Sequence, residues 1–312
     1  MAFKYIVSRI LDTYPGLHAE HIEARLEYGS FASLKDRFLY IEVPKAASSS
    51  IKTLLRGLTT PVRVGIRAIH ARDNVPLLPI TALDDKDQQE LLEASDVLRF
   101  TIVRNPYSRL VSAWRTKVFL RDPDTVDVYS ELRAEAPALG QKNLVNFDEF
   151  VSYIESMAGR IWDVHWQRQV DLTFPKSLSF NHVGKVETLE TTVQMFTKHL
   201  NYSNKLTVPR ANEAPIRPAP KFSAQLAARV YTLYEEDFTT FRYEVDSWPH
   251  DETDSSSLVS QELIDQIMHC NFTIAQLSRE RDRLRHEYSV AYRFSLARIQ
   301  NKLRRIMRRH IS

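Results

Sequence analysis

The sequence predicts an α/β fold, a central parallel sheet flanked by helices, followed by a helical extension. Three observations point there. Two short runs, RFLYIEV at 37–43 and VLRFTIV at 97–103, have the aromatic and β-branched composition of buried strands. Each is followed by helix-start chemistry and an amphipathic stretch, so strand feeds helix twice. The composition, 43% apolar and 26% charged over 312 residues, is that of a soluble globular chain able to bury a large core.

Taken in order, residues 1–36 are mixed and read as helical. The run 37–43 ends at Pro44, and Ser49 or Ser50 is placed to cap a helix carrying Ile51, Leu54, Leu55 and Leu58. An acidic helical stretch at 84–93 precedes the second strand. After that strand, Asn105 is a good N-cap and Pro106 suits the first helical position, so YSRLVSAWRTKVF continues as a helix. Residues 146–200 look mostly helical, with a further strand at 178–183 and a turn at Gly184. VPRANEAPIRPAP at 208–220 holds four prolines and must be irregular. AQLAARVYTLYEEDFTTFRYEVD is another helix, and the domain closes near Trp248.

PHDETDSSS at 249–257 is a polar linker. Beyond it Leu263, Ile267, Cys270, Ile274, Leu277, Leu284, Tyr288 and Ala291 follow a 4/3 spacing that Arg281 interrupts. The expected organisation is a helical segment at 1–36, a catalytic-sized domain at 37–248, the linker, and a basic helix or coiled coil at 258–312. That last segment is read as a homodimerisation element or a peripheral membrane contact, with a helix packed on its own domain as the plainer alternative.

Charge is unevenly spread. The net charge is +3, yet from Arg279 onward there are eleven Lys or Arg against three Asp or Glu. That is a local basic surface rather than a basic protein. The single cysteine, Cys270, excludes an intrachain disulfide framework and a multi-cysteine metal site. The stretch MAFKYIVSRILDTYPG has too short an apolar run for a signal peptide or anchor, which leads to the expectation of a cytoplasmic protein, in contact with the inner membrane face if its tail binds lipid.

The chemistry lies in the two strand-to-helix turns. A helix N-terminus attracts anions. In PKAASSS, Lys45 adds a charge and Ser48, Ser49 and Ser50 add hydroxyl donors. The loop has no glycine, and its lysine precedes the serines, so it does not match the glycine-rich nucleotide loop of ATP and GTP hydrolases. In the second turn Arg104 stands at the strand's end, with Ser108, Arg109 and Ser112 on the helix. An arginine and a serine reaching one point suit a phosphate, while pairing of Arg104 and Arg109 with carboxylates is the structural alternative. Two such turns suggest a ligand with two separated anionic groups.

VPKAASSSIK together with VRNPYSRLVSAWRTK resembles the paired cofactor motifs of carbohydrate sulfotransferases that use 3′-phosphoadenosine 5′-phosphosulfate (PAPS). The nearest branch is that of the HNK-1 and chondroitin 4-O-sulfotransferases with their bacterial relatives. DVHWQRQ, HVGKVETLE and LYEEDFTTFRYE resemble that family's later blocks in the same order, so the likeness covers about 38–245. It implies a P-loop-like three-layer fold, PAPS as sulfuryl donor, no metal, and a carbohydrate acceptor. It also implies that Lys45, Ala46, Ala47, Ser48, Ser49 and Ser50 hold the 5′-phosphosulfate, and that Arg104 and Ser112 hold the 3′-phosphate. Asn105 replaces the family's usual Asp before proline and keeps the cap acceptor. The cysteine pair of the secreted branch falls on Thr173 and Lys176, which agrees with a cytosolic chain.

Sulfuryl transfer needs charge stabilised on the leaving oxygen, for which Lys45 is the natural group, and a base for the acceptor hydroxyl. His165 in DVHWQRQ is the first candidate base, Glu187 in GKVETLE the second and Asp163 the third. The alternative for His165 is a histidine orienting Trp162 and Trp166. His70 and His182 lie outside the strongest motifs and read as structural or surface residues. Trp114, Trp162 and Trp166 read as core packing before sugar stacking, and Lys185 as either a cofactor contact or a solvated lysine. Two other function classes stay open: a metal-dependent glycosyltransferase using Asp122 and Asp124, and a non-catalytic scaffold assembled through the C-terminal helix.

Overall fold

The computed structural model describes residues 4–60, 68–119, 145–157, 162–202 and 220–249, and scattered helical positions between 262 and 284. The chain divides into two units, Met1–Arg115 with Asn146–Ser257, and Thr116–Val145 with Leu258–Ser312.

The first unit is organised by a four-stranded sheet in the order β1 (Ser30–Ser33), β2 (Phe38–Ile41), β3 (Leu98–Val103) and β4 (His182–Lys185). β2, β3 and β4 are parallel, as strand-feeds-helix connections require. β1 pairs antiparallel with β2, from Ser30 opposite Ile41 to Ser33 opposite Phe38. The N-terminal segment is therefore not wholly helical. SFAS is too short to show a period, and α1 (Tyr5–Thr13) and α2 (Ala19–Gly29) precede it.

Strand alternation divides the core into two halves. Leu39 and Ile41 of β2 face Ile6, Val7 and Ile10 of α1, Ile22 and Leu26 of α2, and Leu91 and Leu92 of α4 (Asp85–Glu93). Phe38 and Tyr40 face the other way, onto Ile51, Leu54 and Leu55 of α3 (Ser48–Thr59), and Val193 and Phe196 of the helix after β4. Tyr40 stacks on Phe100 at 4.9 Å, and Phe38 meets Phe196 edge-on at 5.2 Å. Helices on both faces of a parallel sheet make the three layers.

The remaining helices are α5 (Pro106–Ala113), which runs on into a π-helical stretch at Trp114–Phe119, α6 (Phe147–Ser156), α7 (Gln169–Thr173), α8 (Pro175–Leu178), α9 (Leu189–His199) and α10 (Ala224–Phe241). Asn105 caps α5 as its sequence position predicts, accepting from the N–H groups of Tyr107 and Ser108, with Pro106 in the first turn. Asn146 and Glu149 close a reciprocal capping box on α6.

Two local expectations are corrected. The third parallel strand begins at His182, because Pro175–Leu178 turns into a short helix first. Gly184 lies inside that strand rather than at a turn. A Cβ there would stand 2.2 Å from the Thr192 hydroxyl oxygen, so glycine is required by the close approach of α9.

In the second unit the described positions between 262 and 284 are helical, with Cys270, Ile274, Leu277 and Leu284 exposed, and Arg283 paired with Glu280 at 3.3 Å. No helix among the described residues is long and apolar enough to cross a membrane. The proline-rich segment as far as residue 219, Asp122 and Asp124 lie outside the described residues.

Candidate active site

The strand register assembles the site. Ile41 lies opposite Thr101, and Val103 opposite Lys185. The turns leaving β2, β3 and β4 therefore emerge side by side at the carboxyl edge, where open α/β sheets bind ligands. All three belong to the first unit.

The turn after β2 runs from Pro44 to Ala47. Lys45 (φ 66°) and Ala47 (φ 59°) both sit in the left-handed region that glycine normally occupies. Holding two side-chain-bearing residues there costs about 1 kcal/mol or more each. The surroundings supply several clamps. Arg109 donates from Nε to the Pro44 carbonyl at 2.9 Å. Arg25 donates to the carbonyls of Glu42 and Leu172. A buried Glu42–Lys52 ion pair of 2.6 Å ties the strand's end to α3 across the loop.

The helix itself starts differently from the sequence expectation. Ala47 is the N-cap, without a side-chain cap bond, and Ser48, Ser49 and Ser50 form the first helical turn. A serine cap needs extended backbone before the helix, and the left-handed residue takes that place. The first intrahelical bond comes from the Ile51 N–H to the Ala47 carbonyl, at 3.1 Å. The amides of Ser48, Ser49 and Ser50 precede it and have no intrahelical acceptor. Their hydroxyl-bearing side chains are buried at the same helix end, and Ala46 is fully buried beside them. Ser49 Oγ lies 2.9 Å from His70 Nε2.

The turn after β3 carries Arg104. Its Nε donates to Ser108 Oγ at 2.9 Å, and its Nη1 reaches the Lys45 carbonyl at 3.4 Å, so the two turns touch. Burial lowers the guanidinium pKa from its ordinary value, opposed by the Glu187 carboxylate and Tyr243, but an arginine stays charged. Among the described residues no carboxylate pairs with it. Ser112 stands one helical turn beyond Ser108, half-buried on α5.

Arg109 has a different role from the one its spacing suggests. It is fully buried, and besides Pro44 it donates to the carbonyls of Gln167 at 2.7 Å and Val164 at 3.1 Å. Its fork is spent on backbone oxygens, so it fastens the 164–167 segment to the first turn instead of facing a ligand.

That fastening brings His165 close to the loop, since neighbouring Val164 packs with Val43 and Ala46. His165 Nδ1 lies 2.7 Å from Asp163 Oδ1, which also accepts the His165 backbone N–H at 2.8 Å. Glu187 is committed on both oxygens, to the Asn105 N–H at 3.0 Å and the Tyr243 hydroxyl at 3.0 Å. Lys185 donates to the Arg242 carbonyl and covers the Tyr243 ring at 4.1 Å. His182 bonds Thr192 Oγ1 at 3.0 Å, a structural role. Trp114 and Trp166 are buried, packing against Phe147 and Phe150, and half-buried Trp162 packs against Tyr234.

Three residues of this region escape sequence reasoning. His70 shows no motif of its own. Gln169 and Asp237 stand inside the later blocks, yet their roles come from contacts 65 and 68 residues away in the chain. Gln169 Oε1 accepts the Arg104 N–H at 2.9 Å, and its Nε2 donates to the Arg104 carbonyl at 2.9 Å. The buried Asp237 carboxylate accepts the backbone N–H groups of Gln169 and Val170, each at 2.9 Å.

Carbohydrate sulfotransferase 8 of Homo sapiens is 29% identical over 239 residues, covering 68% of this chain and 55% of that protein. Carbohydrate sulfotransferase 11 of Danio rerio is 26% identical over 234 residues, 67% of this chain and 65% of its own. Carbohydrate sulfotransferase 10 of Xenopus laevis is 25% identical over 241 residues, 68% of this chain and 66% of its own. The chain thus spans between about half and two thirds of the length of these relatives. No solved structure matches it. A model of the sulfotransferase family matches residues 29–244, from the end of α2 to just beyond α10 and so across all three turns, and the chain belongs to that family.

Proposed function

We propose that the chain transfers a sulfuryl group from PAPS to a carbohydrate hydroxyl. The observation that carries this reading is Arg104. It is a half-buried guanidinium with no carboxylate partner among the described residues, joined to the lysine turn through the Lys45 carbonyl. The nearby Glu187 carboxylate offsets part of the cost of desolvating this cation without pairing with it, and an anionic ligand group would offset more. Two cationic turns side by side at a parallel sheet's carboxyl edge fit a donor with two separated anionic groups. The carbohydrate acceptor follows from the relatives, each named as a carbohydrate sulfotransferase.

In this assignment Lys45, Ala46, Ala47, Ser48, Ser49 and Ser50 hold the 5′-phosphosulfate, using amides and hydroxyls at the start of α3. Arg104 and Ser112 hold the 3′-phosphate. Bound there, PAPS supplies a sulfuryl group on a phosphate leaving group. Lys45 stabilises the negative charge that develops on the leaving oxygen. His70 receives the acceptor proton, because its Nε2 already lies against a hydroxyl of the loop. His165, held by Asp163, orients the neighbouring segment. Glu187 serves as a brace for Asn105 and Tyr243 instead of a base, since both its oxygens already accept hydrogen bonds.

The test is calorimetric binding of adenosine 3′,5′-bisphosphate beside ATP. The expected result is selective binding by the wild type that the Arg104→Ala, Ser112→Ala double variant loses. Folded wild-type protein that binds neither nucleotide, or binds ATP equally well, would overturn the reading. Sulfate transfer from labelled PAPS to a panel of polysaccharides and glycosides then identifies the acceptor.

A further inference from the structure

We infer that Gln169 is a positioning residue for the 3′-phosphate side of the cofactor site, acting through the backbone of Arg104, with Asp237 holding Gln169 in turn. The inference rests on the proposed PAPS reading and deepens it.

Arg104 stands between the last residue of β3 and the cap of α5, where neither element supplies a ladder or helix partner for its backbone. Gln169 takes that place. Its side-chain amide bonds both the N–H and the carbonyl of Arg104, each at 2.9 Å, as a neighbouring strand would. The next amide along, that of Asn105, is taken by Glu187 at 3.0 Å. Two consecutive backbone amides are thus fixed by side chains from two other elements. Rotation about this backbone would swing the guanidinium away from Ser108 and from the Lys45 carbonyl.

Gln169 is itself fixed. It is fully buried at the first position of α7, and Asp237 of α10, also fully buried, accepts from its backbone N–H at 2.9 Å and from its Nε2 at 3.4 Å. The second Asp237 oxygen accepts the Val170 N–H at 2.9 Å. Both polar groups of the glutamine amide and both carboxylate oxygens are satisfied. Such a buried network holds one geometry, since any rearrangement strands a desolvated polar group. By contrast the lysine turn is held by Arg109, Arg25 and the Glu42–Lys52 pair. The side-chain hydrogen bonds of Gln169 go to the Arg104 turn and to Asp237 and none to the lysine turn, so loss of Gln169 should disturb the Arg104 side of the site first.

The experiment uses the full chain and two probes, adenosine 3′,5′-bisphosphate and adenosine 5′-phosphosulfate, which lacks the 3′-phosphate. Gln169→Met keeps volume and removes both bonds. Its affinity for the bisphosphate is expected to fall about ten- to a hundredfold, with binding of the phosphosulfate unchanged. In an Arg104→Ala background the same substitution should add no further loss, as the double-mutant cycle of a residue acting through another requires. Wild-type affinity for the bisphosphate, equal losses for both probes, or additive losses in the double variant would overturn the inference. Failure of the wild type to bind the bisphosphate would remove the PAPS reading and this inference together, whereas failure confined to the variants removes this inference alone. If Gln169→Met does not fold, Asp237→Asn, which leaves the glutamine in place, carries the same test with the same selective loss expected.

Discussion

At the scale of single residues, similar side chains were given different work by their surroundings. Arg104 and Arg109 lie five positions apart, and the spacing of both suits a phosphate ligand, with pairing to carboxylates as the alternative. Arg109 spends its guanidinium on three backbone carbonyls, while Arg104 makes one contact to a hydroxyl and one to a carbonyl. Arg109→Lys is therefore expected to destabilise the protein, since one ammonium cannot span the three acceptors. Chemical denaturation should show a loss of about 2 kcal/mol or more, and an unchanged midpoint would contradict the bracing role. Lys45→Ala should lower kcat by about a hundredfold or more with bisphosphate affinity much less affected, because its charge acts mainly on the leaving oxygen. His70→Ala should lower kcat by about a hundredfold or more while leaving bisphosphate binding intact. A wild-type rate in that variant, with the loss found in His165→Ala instead, would move the base to His165. The sequence placed Lys45 and Arg104 plainly at the ends of strand-to-helix motifs. It concealed His70, whose meaning depends on a serine 21 residues earlier.

At the scale of elements, helix starts and close approaches decide the geometry. The loop before α3 does without glycine by holding Lys45 and Ala47 in left-handed backbone. Its support comes from α2, α5 and the body of α3, so its shape was not legible in PKAASSS alone. β4 and α9 meet at Gly184. Gly184→Ala would drive a methyl to 2.2 Å from Thr192 Oγ1, and a loss of about 1–3 kcal/mol is expected. Thr192→Ala in the same chain should recover part of it, and equal stability of the two variants would show that the strand shifts freely.

The start of α7 is held by a carboxylate of α10. Burial pushes the Asp237 carboxyl up to about 6, with its hydrogen bonds to Gln169 and Val170 and the charge of Arg109 acting in the opposite direction. A carboxyl pKa raised in the folded state means that folding takes up a proton. This group's contribution to stability therefore rises as pH falls through about 6 towards the ordinary carboxylate range. Between pH 7 and pH 5 it should add about 1 kcal/mol to wild-type stability, and Asp237→Asn should lack that increment. Parallel slopes for the two proteins would place the proton elsewhere.

At the scale of the whole molecule, the parallel sheet puts three turns on one edge, and a site is assembled from residues far apart in the chain. The C-terminal segment of the second unit adds a separate expectation. Ile274, Leu277 and Leu284 lie exposed on described helical positions with the 4/3 spacing of an association seam. Ending the chain after Trp248 is expected to lower the mass measured in solution from dimer to monomer and to leave bisphosphate binding unchanged. The same mass per chain before and after truncation would assign those positions another role.

The sequence by itself determined the strand-to-helix turns, the capped start of α5, the class of fold and the family. These are written in contiguous residues, where hydrophobic period and cap chemistry act locally. Tertiary structure alone decided which arginine is spent on backbone carbonyls, which histidine meets the loop, why Gly184 is glycine, and that Gln169 and Asp237 hold the backbone around Arg104. The physical reason is the same in each case. A guanidinium, an imidazole or a carboxyl acquires its role from its partner and its burial, and those partners arrive from elements that only the folded sheet brings together.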